Sequence, residues 1–165
     1  VYEKPFEESV MTAASCYLFR NLPDEKMAAL KAISHLQTIP KEQWLFHKAE
    51  PAGNIYLVEE GAIELVMPVE PAIEIPVALI RPGNGCVGVG ALLAPYTYTL
   101  SARCKEDTRL TVIARADIYA LFESDPEFGS TVMTNLAQRL LERLRETREE
   151  VKIHFMNLIQ SATFS

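Results

Sequence analysis

At 165 residues with 48% hydrophobic content, the chain holds enough apolar material for one buried core, which excludes a disordered segment. Its 22 acidic and 16 basic side chains leave a net charge of −6, which offers no attraction to a nucleic-acid backbone or an anionic membrane. Cys16, Cys86 and Cys104 are widely spaced, without the CxxC pairs of zinc or redox sites, and this points to a reducing cytoplasm.

The chain divides into an N-terminal helical segment, 1–37, a β region, 38–115, and a C-terminal helical segment, 116–165. Residues from Phe6 to Ile33 read as helical, with apolar positions at Leu18, Phe19, Leu22, Met27, Leu30 and Ile33. Pro23, Asp24 and Glu25 mark a fresh helix start, since the acids favour the positive end of the helix dipole. No segment approaches the roughly 18 consecutive apolar residues of a membrane span, so no membrane partner is expected.

Between Pro40 and Pro95 lie six of the seven glycines and seven of the ten prolines, so the punctuation becomes that of turns. Short β-branched or aromatic runs stand between them: 44–47, 55–58, 63–66, 77–80, 98–104 and 110–113. Strands so short and so closely spaced argue for an antiparallel roll or barrel. Gly61 sits where a tight hairpin needs a positive φ. The run 67–76, with three prolines, reads as a stiff exposed loop.

Residues 116–122 read as a short helix. Asp125 and Pro126 then supply an N-cap and a first helical residue, and no proline follows. Met133, Ala137, Leu140, Leu144, Thr147, Val151, His154 and Leu158 alternate spacings of four and three, the period of a coiled-coil seam. Phe128, Val132 and Leu136 are expected to fold back on the β region. The far half is expected to pack on a second copy, making a homodimer flanked by alternating arginines and glutamates, with Arg145 and Glu149 four apart.

Four glycines and two prolines interrupt the segment 82–104, PGNGCVGVGALLAPYTYTLSARC, where a Gly-rich turn opens a short helix-like stretch. Such turns present backbone N–H groups to anions. The segment resembles the phosphate-binding cassette of cyclic-nucleotide-binding domains, whose pattern is F-G-E-L-A-L, a short loop, then R-A. The runs LFRNLPDEKMAAL, IYLVEEGAIEL, LIRPGNGCVG and IARADIYALFESDPEF resemble the same family, and together the likeness covers about residues 18–145. It implies an α+β, mainly β fold: an antiparallel, jelly-roll-like β-roll (a double-stranded β-helix) flanked by N-terminal helices and a long C-terminal helix. It also implies a regulatory, ligand-sensing domain with a cassette at Gly88, Val89, Gly90, Ala91, Leu92, Tyr98 and Thr99.

Two departures bear on function. Val89 stands where the family's glutamate holds the ribose hydroxyl, and Tyr98 where its arginine pairs with the cyclic phosphate. An aliphatic chain accepts no hydrogen bond, and a phenol cannot form a bidentate charged pair. Cyclic AMP or cyclic GMP is therefore not expected to bind in the usual way, and the ligand is an unidentified small molecule. Glu42 and Ala49 replace glycines usual in the family around the second strand. Arg103, on the opposite strand face from Tyr98, is expected to meet solvent or a carboxylate such as Glu106 or Asp107. Tyr96 and Tyr98 could form an aromatic wall for a flat ligand.

His47, with Glu50, Glu59 and Glu60, is a thin match to the metal strand of cupins. Because His35, His47 and His154 fall on two helical segments and one strand, no metal site is expected. Single His, Cys or Met side chains leave haem ligation open. No catalytic triad or carboxylate pair is legible, so no enzyme is expected. Family relatives in bacteria carry a helix-turn-helix after the long helix, whereas only 159–165 follow it here. No direct nucleic-acid partner is expected, and the output falls to a protein partner or to a module beyond this chain, as in the effector domain of a Crp-family transcription regulator; the alternative is a structural dimerisation module with a vacant pocket.

Overall fold

The computed structural model describes residues 15–83 and 85–163; the part of the N-terminal helical expectation that falls on 6–14 lies outside them. A 3-10 turn, Tyr17–Phe19, and helix α1, Asp24–Ala32, lead into eight strands: β1 Ser34–Ile39, β2 Trp44–Phe46, β3 Asn54–Glu60, β4 Ile63–Glu70, β5 Ile73–Ile80, β6 Cys86–Val87, β7 Ser101–Cys104 and β8 Thr108–Ala114. A second 3-10 turn, Val89–Leu92, separates β6 from β7, and helices α2, Arg115–Ser124, and α3, Pro126–Thr163, close the chain.

The strands form two antiparallel sheets, ordered β1-β8-β3-β6 and β2-β7-β4-β5. The pairs β1/β8, β2/β7, β3/β6 and β4/β5 are nested, as when one long hairpin is rolled up on itself. This is the jelly-roll-like β-roll. Residues Ile55–Val58 of β3 and Leu110–Ile113 of β8 are buried at every position, so these strands are covered on both faces, by the opposite sheet and by the helices. Their mostly apolar runs, broken in β8 by Thr111, follow from that double cover.

Three expectations are corrected. Gly61 has φ +87, but β3 and β4 are not partners, so the turn passes the chain from one sheet to the other instead of closing a hairpin. A Cβ there would lie 2.6 Å from the Asp107 carbonyl oxygen, so the crossing also needs the missing side chain. The stretch 67–76 is not a loop: it forms the outer half of the β4/β5 hairpin, with Pro68 paired to Glu74 and Pro76 to Val66 beside register shifts. Pro76 is tolerated because β5 is an edge strand, and Pro68 because it lies past Val66, where the pairing of β4 with β7 ends. His35, read as helical, lies in β1, which the chain enters directly from α1 without a glycine or proline to announce it. Edge pairing to β8 decides its conformation, since four of its six residues are exposed.

Glu42 and Ala49 take φ +64 and +72, the left-handed region that explains the glycines usual there. Pro23 is the N-cap of α1, with Asp24 and Glu25 in the first turn. Asp125 caps α3, its Oδ1 accepting from the Phe128 N–H at 3.0 Å, and this bond holds its carboxyl below the usual carboxylate range. Lys26 reaches both Asp125, at 3.1 Å, and Glu127, at 2.8 Å, tying α1 to the start of α3.

Helix α3 has 38 residues and is about 57 Å long at ~1.5 Å per residue. Phe128, Val132 and Leu136 are buried, and Asn135 Nδ2 donates to the Leu18 and Arg20 carbonyls, at 3.1 and 2.9 Å. The proximal turns thus pack on their own domain. No described helix is long and apolar enough to cross a membrane.

Candidate ligand cavity

The cavity begins where β6 ends. Gly88 has φ +85, and a Cβ on it would lie 2.6 Å from the Asn54 carbonyl oxygen; one on Gly90 would lie 2.3 Å from the Thr97 oxygen. Glycine is required at both places for the cassette backbone to run this close to β3 and to the segment before β7. The resulting space, about 150 Å³, is lined by Gly88, Val89, Gly90, Tyr98 and Thr99, with Phe46 and Leu65 opposite. Ala91 and Leu92 do not line it. They are buried in the core, where they anchor the turn.

Tyr98 fills the place expected of an arginine. Its ring stacks on Phe46 with centroids 3.7 Å apart, and its hydroxyl donates to the Asn54 carbonyl at 3.2 Å and accepts from the Asn54 N–H at 3.3 Å. The reason lies in β6, which pairs with β3 only at Tyr56 and Leu57. Beyond that short ladder the backbone groups of Asn54 have no strand beside them on this edge, and the phenol supplies both bonds. Burial, then the neighbouring Tyr56, pushes the Tyr98 phenol well above its ordinary value, so it stays neutral.

A second space of about 240 Å³ adjoins the first, sharing Leu65, Cys86, Val89 and Leu100 as walls. It opens between the roll and α3, with Val77, Ala78 and Ile80 on β5, Tyr17 below, and Arg139, Leu140 and Arg143 on the helix. Cys86 Sγ lies 3.4 Å from the Tyr17 hydroxyl. The neighbouring Cys16 thiol and burial hold the Cys86 thiol above its ordinary value, so it is neutral as well.

The remaining expected residues are scattered. Tyr96 does not join Tyr98: it meets Tyr119 edge-on at 6.2 Å, with Arg115 over its ring at 4.9 Å. Arg103 does face away from the cavity, but its carboxylate is Glu64, at 2.8 Å, and it lies over Trp44 at 5.0 Å; Glu106 is instead the partner of Arg81. On α3, Met133 packs partly against its own core, while Ala137, Leu140, Leu144, Thr147, Val151, His154 and Leu158 are exposed. Glu149 pairs with Lys152, at 3.2 Å.

Sequence reasoning missed Phe46, Arg139 and Arg143 as cavity residues, and Asn54 as the partner of the Tyr98 hydroxyl. The arginines carried a signal: four apart and flanking Leu140, they share its helix face. Asn54 carried none, because it acts through its backbone.

The family described as "Cyclic nucleotide-binding domain" matches residues 36–125. A crystal structure of a putative cyclic nucleotide-binding protein from Geobacter metallireducens is 31% identical with a TM-score of 0.66, covering 77% of this chain and 91% of that one. The Thermus thermophilus catabolite activator protein is 30% identical with a TM-score of 0.70, covering 83% and 62%. An NTE family protein of Mycobacterium tuberculosis is 25% identical over 74% of this chain. The chain spans between 20% and 61% of the length of the curated relatives it matches. With the nested β-roll, the left-handed positions and the cassette turn in place, the family match over more than half its length shows that the chain belongs to the cyclic nucleotide-binding domain family.

Proposed function

We propose that this domain is a regulatory ligand sensor whose cavity does not receive a cyclic nucleotide in the family's manner. The observation that carries the reading is the seat of Tyr98: stacked on Phe46 and bonded to Asn54, it stands where a phosphate-pairing arginine is expected. Val89, in the glutamate's place, faces both halves of the cavity and offers no acceptor to a ribose hydroxyl. The cassette half, about 150 Å³, is also below the ~300 Å³ at which ligand pockets usually begin.

The output is a homodimer joined along the distal half of α3. Leu140, Leu144, Val151 and Leu158 are 45 to 64% exposed and form one contiguous stripe, which a monomer rarely leaves uncovered. Leu140 belongs to both the stripe and the cavity wall, so a ligand that presses on it acts on the dimer seam. In this reading the domain reports occupancy of the cavity to the seam through Leu140.

Isothermal titration with cyclic AMP and cyclic GMP tests the first part, and weak or absent heats are expected. Light scattering tests the second: about twice 18.5 kDa supports the dimer, and a value near 18.5 kDa refutes it.

A further inference from the structure

We infer that the ligand of this cavity is an amphipathic anion, a small apolar body carrying one carboxylate or comparable group, held head outward against Arg139 and Arg143. This rests on the reading of the cavity as a ligand site and adds the chemistry of the ligand. Among the described residues that line the two spaces, Arg139 and Arg143 are the only charged ones, and both stand at the helix end. Apart from the neutral Tyr17 and Cys86, the wall around them is mostly apolar, with Leu65, Val77, Ala78, Ile80, Val89 and Leu100, an interior that disfavours a charged body.

The arginines are placed to receive an anion. One turn apart, they flank Leu140 on the face that looks into the cavity, and the Tyr17 ring lies 5.9 Å from the Arg139 guanidinium and steadies it. Their present partners are carboxylates of their own helix: Glu146 lies 3.3 Å from Arg139 and 3.2 Å from Arg143, and Glu142 lies 3.5 Å from Arg139. All of these groups are more than a third exposed, and such surface pairs are weak enough for a ligand carboxylate to exchange with them. Each arginine uses one terminal nitrogen in these contacts, which leaves guanidinium donors for a bidentate partner.

The test uses three probes with the same eight-carbon chain: octanoate, octan-1-ol and octylamine. Thermal unfolding of the full chain is followed with each. Octanoate is expected to raise Tm saturably, one molecule per chain by titration, with octan-1-ol at least ten-fold weaker and octylamine without effect. The double variant Arg139→Gln with Arg143→Gln should bind octanoate no better than octan-1-ol, whereas Arg139→Lys with Arg143→Lys should keep the preference. The substituted side chains are partly exposed and outside the core, so an unchanged Tm without probe confirms that each variant is folded; if either double variant is not, the single Gln variants make the same comparison. Octan-1-ol or octylamine stabilising as well as octanoate overturns the anion while leaving the cavity as a ligand site. An octanoate preference that survives the Gln substitutions overturns its location. No response to any probe overturns the inference too, and low-micromolar binding of cyclic AMP is the separate result that defeats the underlying reading.

Discussion

At the cassette end of the cavity the Tyr98 hydroxyl is already bonded to both backbone groups of Asn54, whereas at the helix end two arginines stand more than a third exposed, with exposed glutamates as their ion-pair partners. The first end is neutral, stacked and closed; the second is cationic and open. In a cyclic-nucleotide site the charge that holds the ligand belongs at the first end. Here the backbone cradle is kept, and among the described lining residues the charge lies across the cavity, on the helix proposed to carry the dimer seam. Cradle and anchor are thus separable: glycine geometry preserves one, and two side-chain identities decide the other.

The largest expected effect breaks the helix end. Leu144→Glu, one turn beyond the cavity residue Leu140, sets like charges opposite one another across a two-fold helix pair, at a cost of several kcal/mol. Light scattering should then show a folded monomer. A dimer that persists places the interface elsewhere and uncouples the cavity from the seam.

Tyr98→Phe breaks the cassette end. It keeps the stack on Phe46 and removes both bonds to Asn54, which should cost about 1 to 2 kcal/mol in denaturant unfolding. An unchanged midpoint means that the phenol does not cap β3. Dimerisation should be untouched, because the substitution lies at the other end of the cavity.

The smallest effect sharpens the separation of cradle from anchor. Ala49, at φ +72, donates its N–H to the Tyr98 carbonyl at 2.8 Å, so it holds the cassette strand through backbone alone. A left-handed L-residue costs ~1 to 2 kcal/mol, and glycine's extra entropy returns part of that, so Ala49→Gly should stabilise by up to about 1 kcal/mol. Ligand preference should not change. A loss of stability contradicts the account of these left-handed positions.

Much of this was legible in the sequence, for reasons that differ by element. The glycines at 61, 88 and 90 were visible because close backbone approach leaves glycine no substitute. Asp125 and Pro126 announced α3, and the four-three spacing of its apolar residues ran on beyond the turns that its own core covers. What escaped was set by partners distant in sequence. β1 is a strand because β8 lies beside it, and the proline-rich run 67–76 is a hairpin because an edge strand tolerates missing donors. Gly61 was given the right dihedral and the wrong connection, since local sequence does not say which sheet the next strand joins. Val89 and Tyr98, singled out in the sequence, both line the cavity, but the use of Tyr98 as a substitute strand partner depends on β6 being only two residues long.

The most direct test is a paired titration of cyclic AMP into the native chain and into Val89→Glu with Tyr98→Arg, by isothermal calorimetry. Two charge-assisted hydrogen bonds at roughly 1.5 to 3 kcal/mol each amount to about two to four decades in Kd. The account predicts that the native chain binds more weakly than ~100 µM and that the double variant gains by at least two decades, because the cradle is intact and only its anchors are missing. A saturable low-micromolar isotherm from the native chain contradicts it.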